Sequence, residues 1–386
     1  MTHSTREELG ADCIATRLTS QGRGAVAVIA LEGSRATEIV ARHFAPATRK
    51  PLTSFPLQRI IFGRWEQANG RGEEIVICRT SETALELNCH GGVAAALAIM
   101  DTLVADGAVE QTPAFWAIRH SENSLEAEAW LALAEARTER TAAILLDQYR
   151  GALRRGIETT IVDLKNGRSA AARQHLALLW ERGDIGLHLT KPWQVAFAGP
   201  PNVGKSSLMN CLLGYQRSIV FDQPGTTRDL LSAPTAFEGW PLELTDTAGL
   251  RDSDDAIEVE GVSRATRFLA AADLTVLVFD STSDSGTAQQ RLVDQYPNAL
   301  LVANKCDLRD APPSAYPVLE TSALTGTGVA ELLQQIVKRL ARCELAPGDA
   351  IPFTLRQRLA IDSAGQAIDA GQLATAIEVL QTLVAG

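Results

Sequence analysis

At 386 residues the chain is too long for one ordinary domain, and two or three are expected. Its composition, 46% hydrophobic and 21% charged with no low-complexity tract, is that of a soluble globular protein, and no apolar run reaches the roughly 18 residues of a membrane span. A formal net charge of −10 argues against a broad electrostatic grip on nucleic acid, so any RNA contact has to be local.

The N-terminus, Met1 to Glu8, is polar and has no apolar signal core. Six scattered cysteines form no Cys-x-x-Cys pair, which argues against a zinc site or disulfide frame and predicts a reducing, cytoplasmic location. From about 12 to 118 the pattern is mixed. Ala25–Leu31 and Glu74–Cys78 read as strands, and Arg35–His43 and Gly92–Asp106 as helices, giving an α+β domain over 1–118. Residues 119–190 turn Ala-, Leu-, Glu- and Arg-rich. Leu125, Ala129, Leu133, Ala136 and Arg140 follow helical spacing, as do Leu176, Leu179 and Trp180. Leu355, Leu359, Ile368, Ile377 and Leu380 predict one long helix late in the chain, with these residues on its apolar face. The stretches 119–190 and 346–386 therefore read as one helical domain split by an insertion at 191–345.

Within the insertion, short apolar strands alternate with helices. The strands are Gln194–Ala198, Leu242–Thr245, Leu274–Phe279, Ala299–Ala303 and Val318–Thr321, with helices at about 204–213, 257–271, 286–295 and 328–342. Such alternation predicts an α/β domain with a mostly parallel sheet covered on both faces and ligands at the strands' carboxyl ends.

Gly199-Pro-Pro-Asn202-Val203-Gly204-Lys205-Ser206 fits G-x4-G-K-[ST], follows a strand and opens a helix. Its glycines let backbone N–H groups turn inward around phosphate oxygens, and the helix N-terminus adds its positive end. Lys205 would reach the β- and γ-phosphates, the Ser206 hydroxyl would bind magnesium, and Ser207 completes the loop. A chance Gly-rich turn would match on the order of once in a hundred chains of this length. Asp246-Thr-Ala-Gly249 ends the next strand, as a magnesium-facing aspartate must, and Gly249 can bring its amide to the γ-phosphate.

Asn304-Lys305-Cys-Asp307 closes another strand. Asp307 can accept from the N1–H and exocyclic amine of guanine. Adenine lacks that donor pair, so an unpaired buried carboxylate would reject it by about 10⁴. Ser322-Ala323-Leu324 lies where a backbone N–H can meet the guanine O6. Between loop and strand, Asp222-Gln223-Pro-Gly-Thr226-Thr227-Arg-Asp229 suits a segment ordered by γ-phosphate and magnesium, although an ordinary polar turn reads the same way. One carboxylate among Asp252, Asp254, Asp255, Glu258 and Glu260 can orient the attacking water. The residues alone do not choose which.

Together GPPNVGKSSLMN, IVFDQPGTTRD, DTAGLRDSDDAIEVEGV, NKCD and TSALTGTGV resemble the MnmE (TrmE) family of tRNA-modification GTPases. DCIATRLTSQGRGAVAVIALEG and LELNCHGG are similar to that family's N-terminal signatures. The resemblance implies a Ras-like P-loop G domain inserted into a helical domain, preceded by a folate-binding-like α+β domain that dimerises. It implies modification of wobble uridine in tRNA with a flavoprotein partner (MnmG, also called GidA), and GTP hydrolysis that uses potassium and G-domain dimerisation. Asn202 matches the potassium ligand, and Phe221, Gln223 and Thr226 the potassium-loop positions. Thr227 matches a second magnesium ligand, and Glu258 the residue that positions water.

The departures lie outside the G domain. The chain ends Val384-Ala-Gly386 where the family has a Cys-x-Gly-Lys motif, and Pro113 to Asn123 lacks the family's folate-contacting lysine. Ala30 replaces an arginine, the family's Thr-Gly-Glu-Asp loop is shortened to Arg79–Ala84, and Glu86 alone stands as a contact to 5-formyl-tetrahydrofolate. Cys89 and His90 read more readily as a strand-end turn than as catalytic groups. Two readings follow: a working tRNA-modification GTPase, or a paralogue that kept the GTP switch and lost the modification chemistry. A ribosome-assembly GTPase would carry a KH domain or tandem G domains, and neither is evident.

Overall fold

The computed structural model describes residues 12–19, 24–66, 72–215, 232–246, 268–283, 287–309 and 318–385. The chain divides into two compact units, Met1–Glu135 and Ala136–Gly386.

In the first unit, seven strands form one sheet: β1 (Ile14–Arg17), β2 (Val26–Glu32), β3 (Phe44–Pro46), β4 (Ile60–Glu66), β5 (Gly72–Arg79), β6 (Ala84–His90) and β7 (Val109–Gln111), in the order β3-β4-β5-β6-β2-β1-β7. Neighbours run antiparallel except β1 and β7. β4 shows why the sheet has one core face: its residues alternate exposed and buried, with Ile61 and Trp65 inward. That face packs with α1 (Ala36–His43) and α2 (Val93–Ala105) through Ile39, Val40, Ile99 and Leu103. α3 (Pro113–His120) and α4 (Ser124–Glu135) complete the unit. The Leu125–Leu133 stretch, read from sequence with the helical segment, falls in this unit. Trp130 meets Trp116 of α3 at 5.0 Å between ring centroids, which ties α4 to α3.

In the second unit come α5 (Glu139–Tyr149), α6 (Ala152–Lys165) and α7 (Ser169–Gly186), and after the second sheet α11 (Leu355–Asp369) and α12 (Leu373–Ala385). α11 packs on α7, and α12 on α6 and α11. The single late helix expected from sequence is two helices, separated at Ala370 and Gly371. The buried stripe agrees in part, since Ile368 and Leu380 are buried as expected. Ile361, Ala364 and Ile368 face inward on α11 and Ala376, Leu380 and Leu383 on α12, whereas Leu355 and Leu359 are 60% and 56% exposed. Ala364 and Ala376 fill two of these buried positions, and a search for large apolar residues passes over them.

The second sheet joins β8 (Trp193–Ala198), β9 (Ser232–Phe237), β10 (Trp240–Asp246), β11 (Leu274–Asp280), β12 (Leu300–Asn304) and β13 (Leu319–Glu320) in the order β13-β12-β11-β8-β10-β9. All pairs are parallel except β9 with β10. Sequence reading did not single out β9, which is short of large apolar residues and carries Pro234; an edge strand tolerates both. β11, by contrast, buries Leu274 and then Val276, Leu277, Val278 and Phe279 in an unbroken run, the mark of a strand covered on both faces. α8 (Lys205–Tyr215), α9 (Thr287–Gln295) and α10 (Val329–Leu340) flank this sheet, α10 with Val329, Leu332, Leu333, Ile336 and Leu340 buried at helical spacing. Parallel β8, β10, β11 and β12 thus end together at Ala198, Asp246, Asp280 and Asn304. No helix among the described residues is long and apolar enough to cross a membrane.

Candidate functional site

The loop from Gly199 to Gly204 leaves β8 at this edge and enters α8. Its turn depends on positive φ: +139° at Gly199, +61° at Asn202 and +89° at Gly204. At Gly199 a Cβ would stand 2.1 Å from the Val278 carbonyl oxygen, and at Gly204 2.5 Å from Asn304 Nδ2. Only glycine fits both positions. The N-terminus of α8 follows directly, with Leu208 N–H donating to Gly204 O at 2.9 Å. Lys205 is 5% exposed, and its ammonium donates to Gly199 O at 3.2 Å and Pro200 O at 2.8 Å. Val203 is buried beside it, while Asn202 and Ser207 are exposed.

Ser206 Oγ donates to Asp246 Oδ2 at 2.5 Å, joining the first turn of α8 to the end of β10. Two hard oxygens beside a helix N-terminus and a lysine suit magnesium, which takes one or two protein oxygens and completes its shell with phosphate and water. The donor set fits that ion.

Across the strand ends lies the second half of the site. Asn304 is 1% exposed; its Nδ2 donates to Val203 O at 2.9 Å, and its Oδ1 accepts from Ala323 N at 3.1 Å and Thr321 Oγ1 at 3.3 Å. Lys305, in the left-handed region at φ +66°, sends its ammonium to Asn202 O and Asp280 Oδ2, both at 2.7 Å. Asp307 sits exposed in the short helical turn Cys306–Leu308. The Ser322 hydroxyl accepts from Thr325 N at 3.1 Å, while Leu324 is 84% exposed at the rim. The base-recognition and phosphate loops are therefore tied by two hydrogen bonds, Asn304 to Val203 and Lys305 to Asn202.

Asp280 and Thr321 were not among the sequence-predicted residues. Nothing in the residue pattern marks Asp280, whose place shows only in the register of β11 with β12, where it pairs with Asn304. Burial pushes its carboxyl up, and hydrogen bonds from Lys305 and Thr282 pull it down further, so its pKa lies below the usual carboxylate value. Phe221, Gln223, Thr226, Thr227, Gly249 and Glu258 lie outside the described residues.

In the first unit, Glu86 is half-buried on β6, opposite Ala30 and Cys78 in register. The Cys89 thiol is pushed up to about 11, by burial first and then by the Glu73 carboxylate. At neutral pH it is a thiol and not a nucleophilic thiolate. His90 is exposed, with its backbone N–H and Nδ1 at 3.1 and 2.9 Å from Glu73 Oε1.

A family model described as 50S ribosome-binding GTPase matches residues 194–305. A tRNA modification GTPase MnmE of Moorella thermoacetica is 32% identical over 377 residues, covering 84% of this chain and 81% of the relative. That of Synechococcus sp. strain CC9605 is 33% identical over 387 residues, covering 87% and 82%. That of Geobacillus kaustophilus is 30% identical over 425 residues, covering 95% and 92%.

Proposed function

The chain belongs to the MnmE family of tRNA modification GTPases, and from that premise we propose that it hydrolyses GTP to GDP and phosphate and acts in tRNA wobble-uridine modification. One observation carries the reading. Lys205, the Ser206–Asp246 pair and the Asn304–Lys305 pair converge at one sheet edge, with the two loops bonded to each other.

The steps divide among named residues. The α8 N-terminus and Lys205 bind the phosphates, and Asp307 with the 322–324 backbone selects guanine. Magnesium, when held by Ser206, Asp246 and Thr227, supplies charge neutralisation on the phosphate oxygens. Glu258 orients the attacking water. Asn202, Phe221, Gln223 and Thr226 would hold potassium, whose charge would serve in place of an arginine finger.

The family relation further suggests the layout read from sequence: an α+β domain over 1–118, a helical domain in two parts at 119–190 and 346–386, and a G domain at 191–345 between them. Packing of α11 on α7 and α12 on α6 supports the split helical domain. A homodimer, a MnmG-like flavoprotein partner, a cytoplasmic location and a folate contact at Glu86 complete the proposal.

The test is GTP turnover by the full chain with Lys205→Ala beside it. Turnover that is specific for GTP over ATP and lost in the variant is expected; normal GTP binding by Lys205→Ala would overturn the phosphate-site assignment. Mass spectrometry of wobble-uridine nucleosides from cells lacking the gene tests the tRNA role. Loss of the modified uridine supports it. An unchanged profile in a strain with no second copy would leave a GTP switch without the modification chemistry.

A further inference from the structure

We propose that Asp280 is a positioning residue that holds Lys305 against the phosphate loop and thereby sets how long a bound guanine nucleotide stays. The inference rests on the GTP-site reading above. Asp280 is the last residue of β11, one strand away from the loop it serves. Both of its carboxylate oxygens are engaged: Oδ2 with Lys305 Nζ at 2.7 Å, and Oδ1 with Thr282 N at 2.9 Å and Thr282 Oγ1 at 2.6 Å. The Thr282 bonds fix the plane of the carboxylate, so the ammonium meets an acceptor that does not rotate. The side chains are 15% exposed for Asp280 and 32% for Lys305, so the pair is shielded more than a surface ion pair.

The second acceptor of Lys305 matters more. Asn202 and Lys305 are both non-glycine residues at positive φ, +61° and +66°. Such conformations carry strain and persist only where neighbours over-determine them. The Lys305 ammonium binds Asn202 O directly, so one side chain braces both strained turns. A lysine stem is flexible and loses much rotamer freedom when held. Asp280 supplies the charge-assisted contact that holds it. Without that carboxylate the ammonium keeps only the neutral Asn202 carbonyl, that bond is held less firmly, the tie between the base-recognition and phosphate loops rests more on the Asn304–Val203 bond, and the nucleotide's two ends are gripped by loops that move apart more easily. Asp280 itself need not touch nucleotide.

The experiment is stopped-flow release of a fluorescent GDP (mant-GDP) from the full chain in sodium buffer with magnesium, so that potassium plays no part. Asp280→Asn should release GDP about tenfold faster, while the turnover rate at saturating GTP stays within about twofold and KM rises, since positioning a binding loop acts on the ground and transition states alike. Lys305→Ala should do at least as much. The double variant should release no faster than Lys305→Ala alone, because the aspartate acts through the lysine. Asp280→Glu, which keeps the charge, should restore part of the slow release even if Asp280→Asn lowers the melting temperature. Release from Asp280→Asn at the wild-type rate would overturn the inference alone, and so would an effect of undiminished size in the Lys305→Ala background. A wild-type chain that holds no mant-GDP would overturn the GTP-site reading and this inference with it.

Discussion

Ser206 and Asp246, 40 residues apart in sequence, meet at 2.5 Å where the first turn of α8 faces the end of β10. Asp246 is 5% exposed, and its carboxylate meets the Ser206 hydroxyl at the buried end of the strand. A hard divalent cation competes well for such a pair because it offers full charge to both oxygens. Ser206→Ala is therefore expected to retain nucleotide in chelator, while losing the tightening that magnesium brings, by about tenfold or more. A magnesium titration of mant-GDP affinity checks this. A variant with unchanged magnesium response would remove Ser206 from the metal site.

Gly204 offers a sharper steric test. A methyl group there would stand 2.5 Å from Asn304 Nδ2, which is buried and bonded to Val203 O, so the amide has nowhere to retreat. The backbone at φ +89° adds its own cost for any L side chain. Gly204→Ala should lose about 1–3 kcal/mol in the folded loop, read as a GTP affinity weakened about tenfold or more. Affinity equal to wild type would mean that the loop does not need this approach.

Much of this site was legible because its chemistry leaves few residue choices. The turn at Gly199 and Gly204, the lysine and the hydroxyl form a spaced pattern, and the asparagine of NKCD turned out to be buried, as a loop-fixing group should be. Other parts were silent for physical reasons. β9 is an edge strand with little apolar content, so periodicity does not mark it. Asp280 looks like any aspartate at a strand end, and only the register with Asn304 shows its place. Leu355 and Leu359 misled because the buried face of α11 runs through Ile361, Ala364 and Ile368 instead.

The hairpin between β9 and β10 meets the helices at its turn. Thr138 Oγ accepts from Thr141 N at 3.2 Å and donates to Gly239 O at 2.6 Å, so a helix cap also holds the hairpin turn. Arg140 adds a hydrogen bond to Glu238 O at 3.0 Å and lies 4.2 Å above the Trp240 ring. Thr138→Ala removes both a cap and a buried bond, and should cost about 1–2 kcal/mol. Arg140→Ala should cost about 0.5–2 kcal/mol from the lost ring contact. Urea unfolding of the full chain measures each. Because both grip one turn, the double variant should lose less than the sum.

His188 supplies a pH dependence with a definite sign. It stacks on Trp193 at 4.9 Å between centroids, with Nε2 3.6 Å from Asp273 Oδ1. Burial lowers its pKa, and the attraction of Asp273, aided by Asp184 and nearby backbone, does not fully offset this; the net value lies below 6.5. Between that lowered value and 6.5 the unfolded chain binds a proton that the folded chain refuses. The stabilisation is therefore complete above about 6.5 and is lost as pH falls through the window beneath it. Thermal unfolding should show the wild-type melting temperature dropping as pH falls from about 7.5 to 5, with a shallower drop in His188→Gln. That variant removes the titrating group and leaves Asp273 its bond to Gln194 N at 2.7 Å. Keeping the measurement above pH 5 avoids the ordinary aspartate range near 3.9, so the difference between the two curves reports His188. Parallel curves would place the acid sensitivity elsewhere, and a wild-type curve shallower than the variant's would mean that Asp273 outweighs burial.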